Sequence, residues 1–347
     1  MPISKENILF TYRSGDIDSF NVANRYRALR DLDSEQLVAI PCSDREILPN
    51  EKTFNDEVLN PIKDAIASSG RRIWGIITGF NVPGGFRDGE DIIATTSRLS
   101  RIHHDFQKQL RNHLFDRAAF KRFDAIDAQF ALITSRIDAA TVDIANDFID
   151  RTSEFRKQSF AKGKFYIDPY SGILGADATE YQDEILDFSN RELVETNLDV
   201  FSTVFLDPYV DVVLPFVKDD SFTWSWFADR SSLSFFQETN SSRFFFYNAD
   251  NDGAFTVRDL NDRRWVSLAI RSNYINTAGA MSNPTIKGFL RPRPFFRTLL
   301  NGATSGEALL YSSRFVDWTI NFFGDPLLQV HFPGRTQVID FDTPMRS

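Results

Sequence analysis

With 347 residues, of which 42% are hydrophobic and 25% charged, the chain is long enough for one large or two ordinary globular domains with a sizeable core. A formal net charge of −9 and a pI of about 5.1 argue against DNA and anionic membranes as electrostatically favoured partners. A single cysteine excludes an internal disulfide framework. The opening segment MPISKENILF lacks an apolar signal-peptide core, and no stretch reaches 18 apolar residues, which predicts synthesis in the cytoplasm without a membrane span.

Strand and helix patterns alternate along the first half of the chain. Short apolar runs predict five buried strands, at residues 7–13, 36–41, 71–78, 129–135 and 162–169. Helices are predicted between them, over residues 16–30, from Thr53 to Gly70, in a mixed polar stretch reaching Phe123, and over 139–157. Such alternation is typical of an α/β protein with a mainly parallel sheet flanked by helices on both faces.

The second half is rich in aromatic residues. Its runs DVFSTVFLD, FTWSWFAD and RFFFYN are strand-like, and helical patterns return over 265–279 and 292–315. No change in composition marks a linker, and no internal repeat is visible. We therefore predict one elaborated domain over residues 1–330, followed by a C-terminal tail over 331–347. In chain order this domain would consist of core βα units (1–196), an aromatic β-rich insertion (197–264), and a helical and closing part (265–330).

The segment NADNDGAFTVRD, residues 248–259, has the spacing of a calcium-binding loop. Oxygen-bearing side chains occupy positions one, three, five and twelve: Asn248, Asp250, Asp252 and Asp259. Gly253 at position six would permit the sharp turn of an EF-hand. However, Asp-Gly between two β-prone runs is also a strong signal for a hairpin turn, and EF-hand loops are flanked by helices. A plain hairpin turn is the favoured prediction and a calcium-bound turn is the alternative.

Polar residues follow several predicted strands and form a candidate pocket. Ligands of open parallel sheets bind at the carboxyl ends of the strands, where the strand order reverses. The residues found there are Arg13, Asp16, Asn81, Arg136, Asp138 and Asp168. They predict a charge-balanced pocket, although Asp residues at such positions also serve as helix caps.

Cysteine and histidine residues give no recognisable catalytic pair. Cys42 follows the second strand with no histidine near it in sequence, whereas a thiol nucleophile needs a base within hydrogen-bond reach. His103, His104 and His113 fall in the predicted polar helix, where His113 would point away from the other two, a poor arrangement for a metal. Motifs of serine hydrolases, P-loop NTPases and dinucleotide-binding proteins are absent from the sequence.

Residues 265–330 resemble the C-terminal part of a poorly characterised bacterial family whose fold is similar to that of caspases and gingipains. The similar elements are TAGAMSNP, FFRTLLNGATSGEALL and the closing FGDPLL, together with RRIWGIITGFNVPGGF and QFALITSRIDA upstream. The resemblance implies a caspase-like mainly parallel sheet over roughly residues 8–330.

The resemblance also implies where a peptidase dyad would lie. Caspases and gingipains use a His after the third strand and a Cys after the fourth, and this sequence has Gly79, Phe80 and Asn81 at the first place and Ser135, Arg136 and Ile137 at the second. Without a thiolate and its base the peptidase mechanism has no nucleophile.

Two hypotheses of function follow. The leading hypothesis is a non-catalytic caspase-like protein that self-associates or binds protein partners, without nucleic acid or membrane, as a binding or structural subunit of a larger assembly such as a virion. The 34 phenylalanines led us to expect part of the aromatic surface at an interface. The alternative is a thiol-independent hydrolase, with Asp16, Asp138 or Asp168 as general base or metal ligand. No cofactor is predicted apart from the calcium alternative.

Overall fold

The first part of the chain alternates between strands and helices, as its sequence predicts. The computed structural model describes residues 3–116, 122–157, 161–169, 175–191, 193–202, 220–226 and 242–333. The elements of the first part are β1 (Ile8–Arg13), α1 (Ile17–Arg30), β2 (Leu37–Ile40), β3 (Ile47–Leu48), α2 (Glu51–Phe54), α3 (Asn60–Ser68), β4 (Gly75–Thr78), β5 (Gly85–Asp88), β6 (Asp91–Ala94), α4 (Thr95–Leu99), β7 (Leu110–Arg111), β8 (Ile133–Arg136) and α5 (Val142–Arg156).

The second part of the chain also alternates between strands and helices, and its last strand pairs with a strand of the first part. Its elements are β9 (Lys164–Asp168), α6 (Ala176–Arg191), β10 (Val200–Ser202), β11 (Asp220–Trp226), β12 (Phe245–Ala249), α7 (Trp265–Arg271), β13 (Asn276–Ala280), α8 (Thr285–Gly288), α9 (Pro292–Leu300), α10 (Ser305–Ser312), β14 (Phe315–Val316) and β15 (Ile320–Gly324).

Local chemistry sets the ends of the main helices. Asp16 caps α1 by accepting hydrogen bonds from the backbone N–H groups of Asp18 and Ser19. Thr141 caps α5 in the same way through the N–H of Ile144. The helix predicted from Thr53 begins earlier, because the cap is Asn50, whose side chain accepts from the Thr53 N–H. A π-helical turn then joins α2 to α3.

Ten of the described strands form one large sheet, in the order β10-β9-β11-β12-β13-β15-β8-β4-β1-β2. Neighbouring strands are parallel except β13 and β15, which are antiparallel. The sheet therefore consists of two parallel halves that run in opposite directions. We call β2, β1, β4, β8 and β15 the first half, and β10, β9, β11, β12 and β13 the second half.

The two halves share one topology. Numbered by their order along the chain, the strands of each half are arranged 2-1-3-4-5. The fifth strand of the first half, β15, is supplied only after the whole second half, and it pairs with β13 across the junction. This structural repeat leaves no visible trace in the sequence.

Buried aromatic side chains fill much of the second half. Phe165 stacks on Phe222 with ring centroids 4.5 Å apart, and Phe245 stacks on Phe295 at 4.3 Å. Among the described phenylalanines only Phe20 and Phe130 are exposed. The expectation that part of the aromatic surface serves an interface is therefore not supported by the described phenylalanines, which pack mainly in the core.

Three sequence-based predictions of local structure are wrong. The stretch up to Phe123 is not a long helix: it contains the β5–β6 hairpin, the short α4 and turns, so His103, His104 and His113 are not helical. The run RFFFYN is a strand, but it pairs in parallel with β11 and β13 instead of turning back as a hairpin at Asp252 and Gly253. The predicted helix over 265–279 ends at Arg271, and Asn276–Ala280 is strand β13.

The aromatic strands β11 and β12 are central members of the large sheet, and the sheet as a whole is mainly parallel with flanking helices, as predicted. In the described parts of the chain, no helix is long and apolar enough to cross a membrane.

Candidate functional site

The first half has its strand-order reversal between β1 and β4, so its ligand crevice is expected at the carboxyl ends of these strands. Five of the six candidate pocket residues meet there, joined by two residues from other segments. We call this group the strand-end cluster: Arg13, Asp16, Glu46, Asn81, Arg136, Asp138 and Arg258.

Asp16 lies at the outer side of the strand-end cluster. Its Oδ2 accepts from Arg13 Nε at 3.0 Å and from Asn81 Nδ2 at 2.8 Å. Burial alone would raise the pKa of Asp16, but the hydrogen bonds from Asn81 and the Ser19 backbone, with the charge of Arg13, hold that pKa below its usual value. Asp16 is therefore an ionised helix cap and ion-pair partner.

Asp138 is the centre of the strand-end cluster. Its Oδ2 accepts from Arg258 Nε at 2.8 Å and also pairs with Arg136 Nη2, and its Oδ1 accepts from the Asn81 backbone N–H at 3.3 Å. Both Asp138 and Arg136 are fully buried. Burial lowers the pKa of Arg136, opposed by the charges of Asp138 and Glu46.

Asn81 connects the two carboxylates because its backbone adopts a left-handed conformation with φ of 62°. Asparagine tolerates this conformation better than most residues. Its N–H faces Asp138 while its side-chain amide faces Asp16. The loop that follows β4 thus positions the polar groups of the crevice.

Sequence reasoning missed two members of the strand-end cluster. Glu46 lies 3.6 Å from Arg136 Nη1 and accepts from the Val257 N–H at 2.8 Å. Arg258 comes from the segment after β12, in the second half, and packs against Asp138. No local pattern predicts either contact, because Glu46 reaches Arg136 from another segment of the first half and Arg258 reaches Asp138 from the second half.

Asp168 does not join the strand-end cluster. It lies at the carboxyl end of β9, in the second half, and the two halves run in opposite directions, so it faces the other edge of the sheet. Five strand spacings, on the order of 24 Å, also separate β9 from β8. The prediction of one shared pocket is thus wrong for Asp168.

The side chains of the candidate calcium ligands form hydrogen bonds or ion pairs with other residues of the chain. Asn248 is buried in β12 and its Oδ1 accepts from Ser225 Oγ at 2.8 Å, and Asp252 pairs with Arg264 Nε at 3.1 Å. Asp250 and Asp259 each accept a backbone N–H nearby in the chain. Within the described ranges, no three His, Cys, Asp or Glu residues are grouped as metal ligands. The segment begins in a strand instead of a helix, and calcium binding by it stays a prediction.

Cys42 lies near the strand-end cluster but is not activated. Burial raises the pKa of the thiol to about 12, although Arg258 and Arg13 act in the opposite direction. A thiol with this pKa carries almost no thiolate at neutral pH.

The mostly parallel sheet with flanking helices is consistent with a caspase/gingipain-like α/β fold, and solved structures of such proteases are similar to this chain over most of its length. A solved structure described as a protease is similar with a TM-score of 0.56 at 9% identity, covering 94% of this chain and 79% of that chain. The complex of RgpB pro- and mature domains from Porphyromonas gingivalis gives a TM-score of 0.51 at 11% identity, covering 93% and 79%. The Arg-specific cysteine proteinase gingipain R gives 0.49 at 12% identity, covering 95% and 80%. No family model and no curated protein matches the chain.

Proposed function

We propose that this chain is a non-catalytic protein of caspase/gingipain-like fold that serves as a binding or structural subunit of a larger assembly, such as a virion or other multi-protein particle. The observation that carries the proposal is that no His and no Cys stands at the positions where the peptidase dyad would lie. Because both halves share the 2-1-3-4-5 order, a His after the third strand and a Cys after the fourth have two possible places.

Neither place contains the required residues. The only cysteine is Cys42 and the four histidines are at 103, 104, 113 and 331, so none falls in the segments that directly follow β4, β8, β11 or β12. In the first half, the space after β8 is instead taken by the ion pairs of Asp138 with Arg136 and Arg258. A thiol mechanism therefore has neither nucleophile nor base.

The thiol-independent hydrolase is the weaker candidate. It needs converging carboxylates, and of the three carboxylates named for it only Asp16 and Asp138 lie together, both bonded to Asn81, since Asp168 lies at the other edge. Asp16 has a lowered pKa, whereas a general base works best with a pKa near the working pH. Both carboxylates are already bonded to arginine side chains.

Three exposed apolar side chains lie close in sequence to members of the strand-end cluster. Ile17 and Phe20 follow Asp16 in α1 and are 68% and 39% exposed, and Leu260, two residues after Arg258, is 54% exposed. Exposed apolar side chains near a rim of charged groups are typical of protein-binding surfaces. They support a binding role at this end of the first half.

Peptidase activity is tested with a library of fluorogenic peptides under reducing conditions, with an active cysteine peptidase as positive control. We expect no turnover above the buffer background. Turnover that survives in a Cys42→Ala variant and disappears in an Asp16→Asn or Asp138→Asn variant would favour the hydrolase instead.

Assembly is tested by native mass spectrometry of the purified chain over a range of concentrations, with calcium and after chelation. We expect a defined oligomer, or a complex with a co-purifying protein. A monomer at every concentration in both buffers would contradict the proposal. An oligomer that loses calcium and dissociates on chelation would additionally assign the segment 248–259 to a structural metal.

A further inference from the structure

Strand β2 forms one outer edge of the large sheet. Among the described strands it pairs only with β1, along Leu37–Ile40. The Ile40 carbonyl accepts the Ser14 N–H on the β1 side. The backbone groups of successive residues in a strand point to opposite sides, so those of Val38 also face β1, whereas those of Leu37 and Ala39 face outward.

The outward side of β2 has the properties of an edge that accepts another strand. The Leu37 N–H donates to the Ser34 carbonyl in the turn before β2, so the groups that face outward are the Leu37 carbonyl and both backbone groups of Ala39. Ala39 is exposed. Sheet edges are commonly protected by charged side chains or bulges, but β2 has the uncharged sequence LVAI and pairs with β1 without a bulge. Pro41, which has no N–H, limits further pairing to these residues.

An apolar patch continues from this edge onto helix α1. Ala39 lies opposite Tyr12 in the register of β2 and β1, so both side chains are on the same face of the sheet. The ring centroids of Tyr12 and Phe20, a residue of α1, are 5.3 Å apart, and Phe20 is 39% exposed. The open edge and the patch of Ala39, Tyr12 and Phe20 form one surface, which we call the β2 surface.

Exposed charges of opposite sign lie at the two ends of β2. Asp33 and Glu35 precede the strand, and their side chains are 62% and 82% exposed. Arg45 follows the strand and is also exposed. An antiparallel pair of β2 strands would place the acidic end of each copy near Arg45 of the other, whereas a parallel pair would place Glu35 beside Glu35. The charges therefore favour an antiparallel, two-fold arrangement of two copies.

We propose that two copies of this chain associate through the β2 surface, antiparallel about a two-fold axis, so that their two large sheets become continuous. The inference rests on the assembly role proposed above and names the partner, a second copy. In a two-fold contact each Ala39 N–H donates to a carbonyl of the partner's edge. A strand of four residues cannot hold a stable dimer alone, since stable interfaces bury about 1,200 Å² or more. Phe20 and Tyr12 supply the apolar contact.

The first test removes one backbone donor. Ala39→Pro takes away the outward N–H, and proline is tolerated where the N–H of an edge strand faces away from the sheet. We expect analytical ultracentrifugation to show a dimer dissociation constant at least about tenfold higher than in the wild type, because two symmetry-related hydrogen bonds are lost. Ala39→Thr is the matched control, since it keeps the N–H and suits a strand, and it should dimerise like the wild type.

A second test uses the charges at the ends of the strand. Glu35→Lys removes the negative charge from one end, and Arg45→Glu removes the positive charge from the other, so each variant alone should dimerise more weakly than the wild type at low ionic strength. Mixed in equal amounts, with one variant isotope-labelled, the two should form more mixed dimer than either forms with itself. Native mass spectrometry distinguishes the three dimers by mass.

The inference is overturned if Ala39→Pro dimerises as well as Ala39→Thr, or if the mixed charge variants show no preference for each other. If Ala39→Pro does not fold, Ala39→Lys, which brings two like charges together near the axis, replaces it in the same measurement. An oligomer that no β2 variant weakens, or a complex with a different protein only, removes the β2 dimer and leaves the proposed assembly role standing. A monomer without any partner removes both.

Discussion

At the scale of single residues, the buried charges after β8 are centred on Asp138. The fully buried Asp138 carboxylate accepts from two guanidinium groups and from the backbone N–H groups of Asn81 and Ala139. Removing one partner of such a group leaves the others desolvated and uncompensated, which costs far more than losing a surface ion pair.

We predict that Asp138→Ala destabilises the protein by about 3–5 kcal/mol, because Arg136 and Arg258 lose their shared carboxylate. The measurement is the free energy of unfolding from denaturant titration. Asp150→Ala is the control, since Asp150 forms an ion pair with Arg25 in which both side chains are nearly half exposed, and it should cost less than about 1 kcal/mol. Equal losses in the two variants would contradict the role given to Asp138.

Asp16 should make stability depend on acid pH. Its pKa in the folded state is lower than the usual 3.8, so its contribution is present above that pH and is lost as the pH falls through the folded-state pKa. Asp16→Asn keeps a helix-capping side chain and removes the charge. The loss of stability between pH 5 and pH 3 should therefore be smaller in Asp16→Asn than in the wild type, as followed by denaturant unfolding at each pH. An unchanged pH profile would show that the pKa of Asp16 is not lowered in the folded state.

Cys42 is predicted to be unreactive in the folded protein. With a pKa raised to about 12 by burial, it should resist iodoacetamide at neutral pH and react stoichiometrically in denaturant, as intact mass spectrometry would record. Rapid labelling without denaturant would mean that the thiol is exposed and activated, and would reopen a thiol mechanism.

At the scale of elements, the loop between β4 and β5 packs against the strand-end cluster. Gly84 lies directly against the Arg136 guanidinium, so a Cβ at this position would overlap Nη1. The guanidinium cannot move away cheaply because it is buried and bonded to Asp138. Gly84 is therefore explained by the space that Arg136 needs, whereas a Cβ on Gly85 would meet the Ile93 carbonyl and Met281.

We predict that Gly84→Ala destabilises the protein by about 1–3 kcal/mol, the usual cost of inserting a methyl group into a packed site. Gly253→Ala is the control, because its Cβ would meet neighbours only at 3.8 Å or more. Thermal and denaturant unfolding of both variants would measure the difference. A neutral Gly84→Ala would indicate that Arg136 is loosely held.

Elements with strong local signals were predictable. Five elements lie close to their predicted ranges: the strands β1, β2 and β9 and the helices α1 and α5. They were predictable because the periodicity of apolar residues and the helix-capping residues are local properties of the sequence. The hairpin β5–β6 and strand β13 were not predicted. Residues 276–280 read NTAGA, small residues without β-branched enrichment, and they form a strand only because β12 and β15 pair with them.

The candidate site was predictable only for residues at the ends of neighbouring strands. Arg13, Asp16, Asn81, Arg136 and Asp138 follow from the rule for parallel sheets. The prediction that Asp168 joins this pocket was wrong because the strands of the second half run in the opposite direction, which the pattern of a single strand cannot show. Glu46 and Arg258 could not be predicted, because their contacts join segments far apart in the chain: Arg258 is 120 residues from Asp138, and Glu46 is 211 residues from Val257.

At the scale of the whole molecule, the two halves are linked by β15, which belongs to the first half although it follows the second in the chain. Arg258 adds another link, because it follows β12 of the second half and bonds to Asp138 of the first half. We expect the halves to unfold together, and tryptophans report on both: Trp74 and Trp318 in the core of the first half, Trp224 and Trp226 in that of the second.

The prediction is a single cooperative transition, with the same midpoint by tryptophan fluorescence and by far-UV circular dichroism. Arg258→Ala should lower this midpoint without splitting it, since β13 and β15 remain paired. Two separated transitions in the wild type would show that the halves are thermodynamically independent.

The late position of β15 also has a consequence for biosynthesis. Roughly 180 residues lie between β8 and β15, so a ribosome needs about 10–40 s after finishing β8 before its neighbouring strand emerges. Throughout that interval the nascent chain carries β8 with one side unpaired, a template for wrong pairing with other chains. Expression yield should therefore depend on chaperone supply and translation speed more than the stability of the finished protein would suggest.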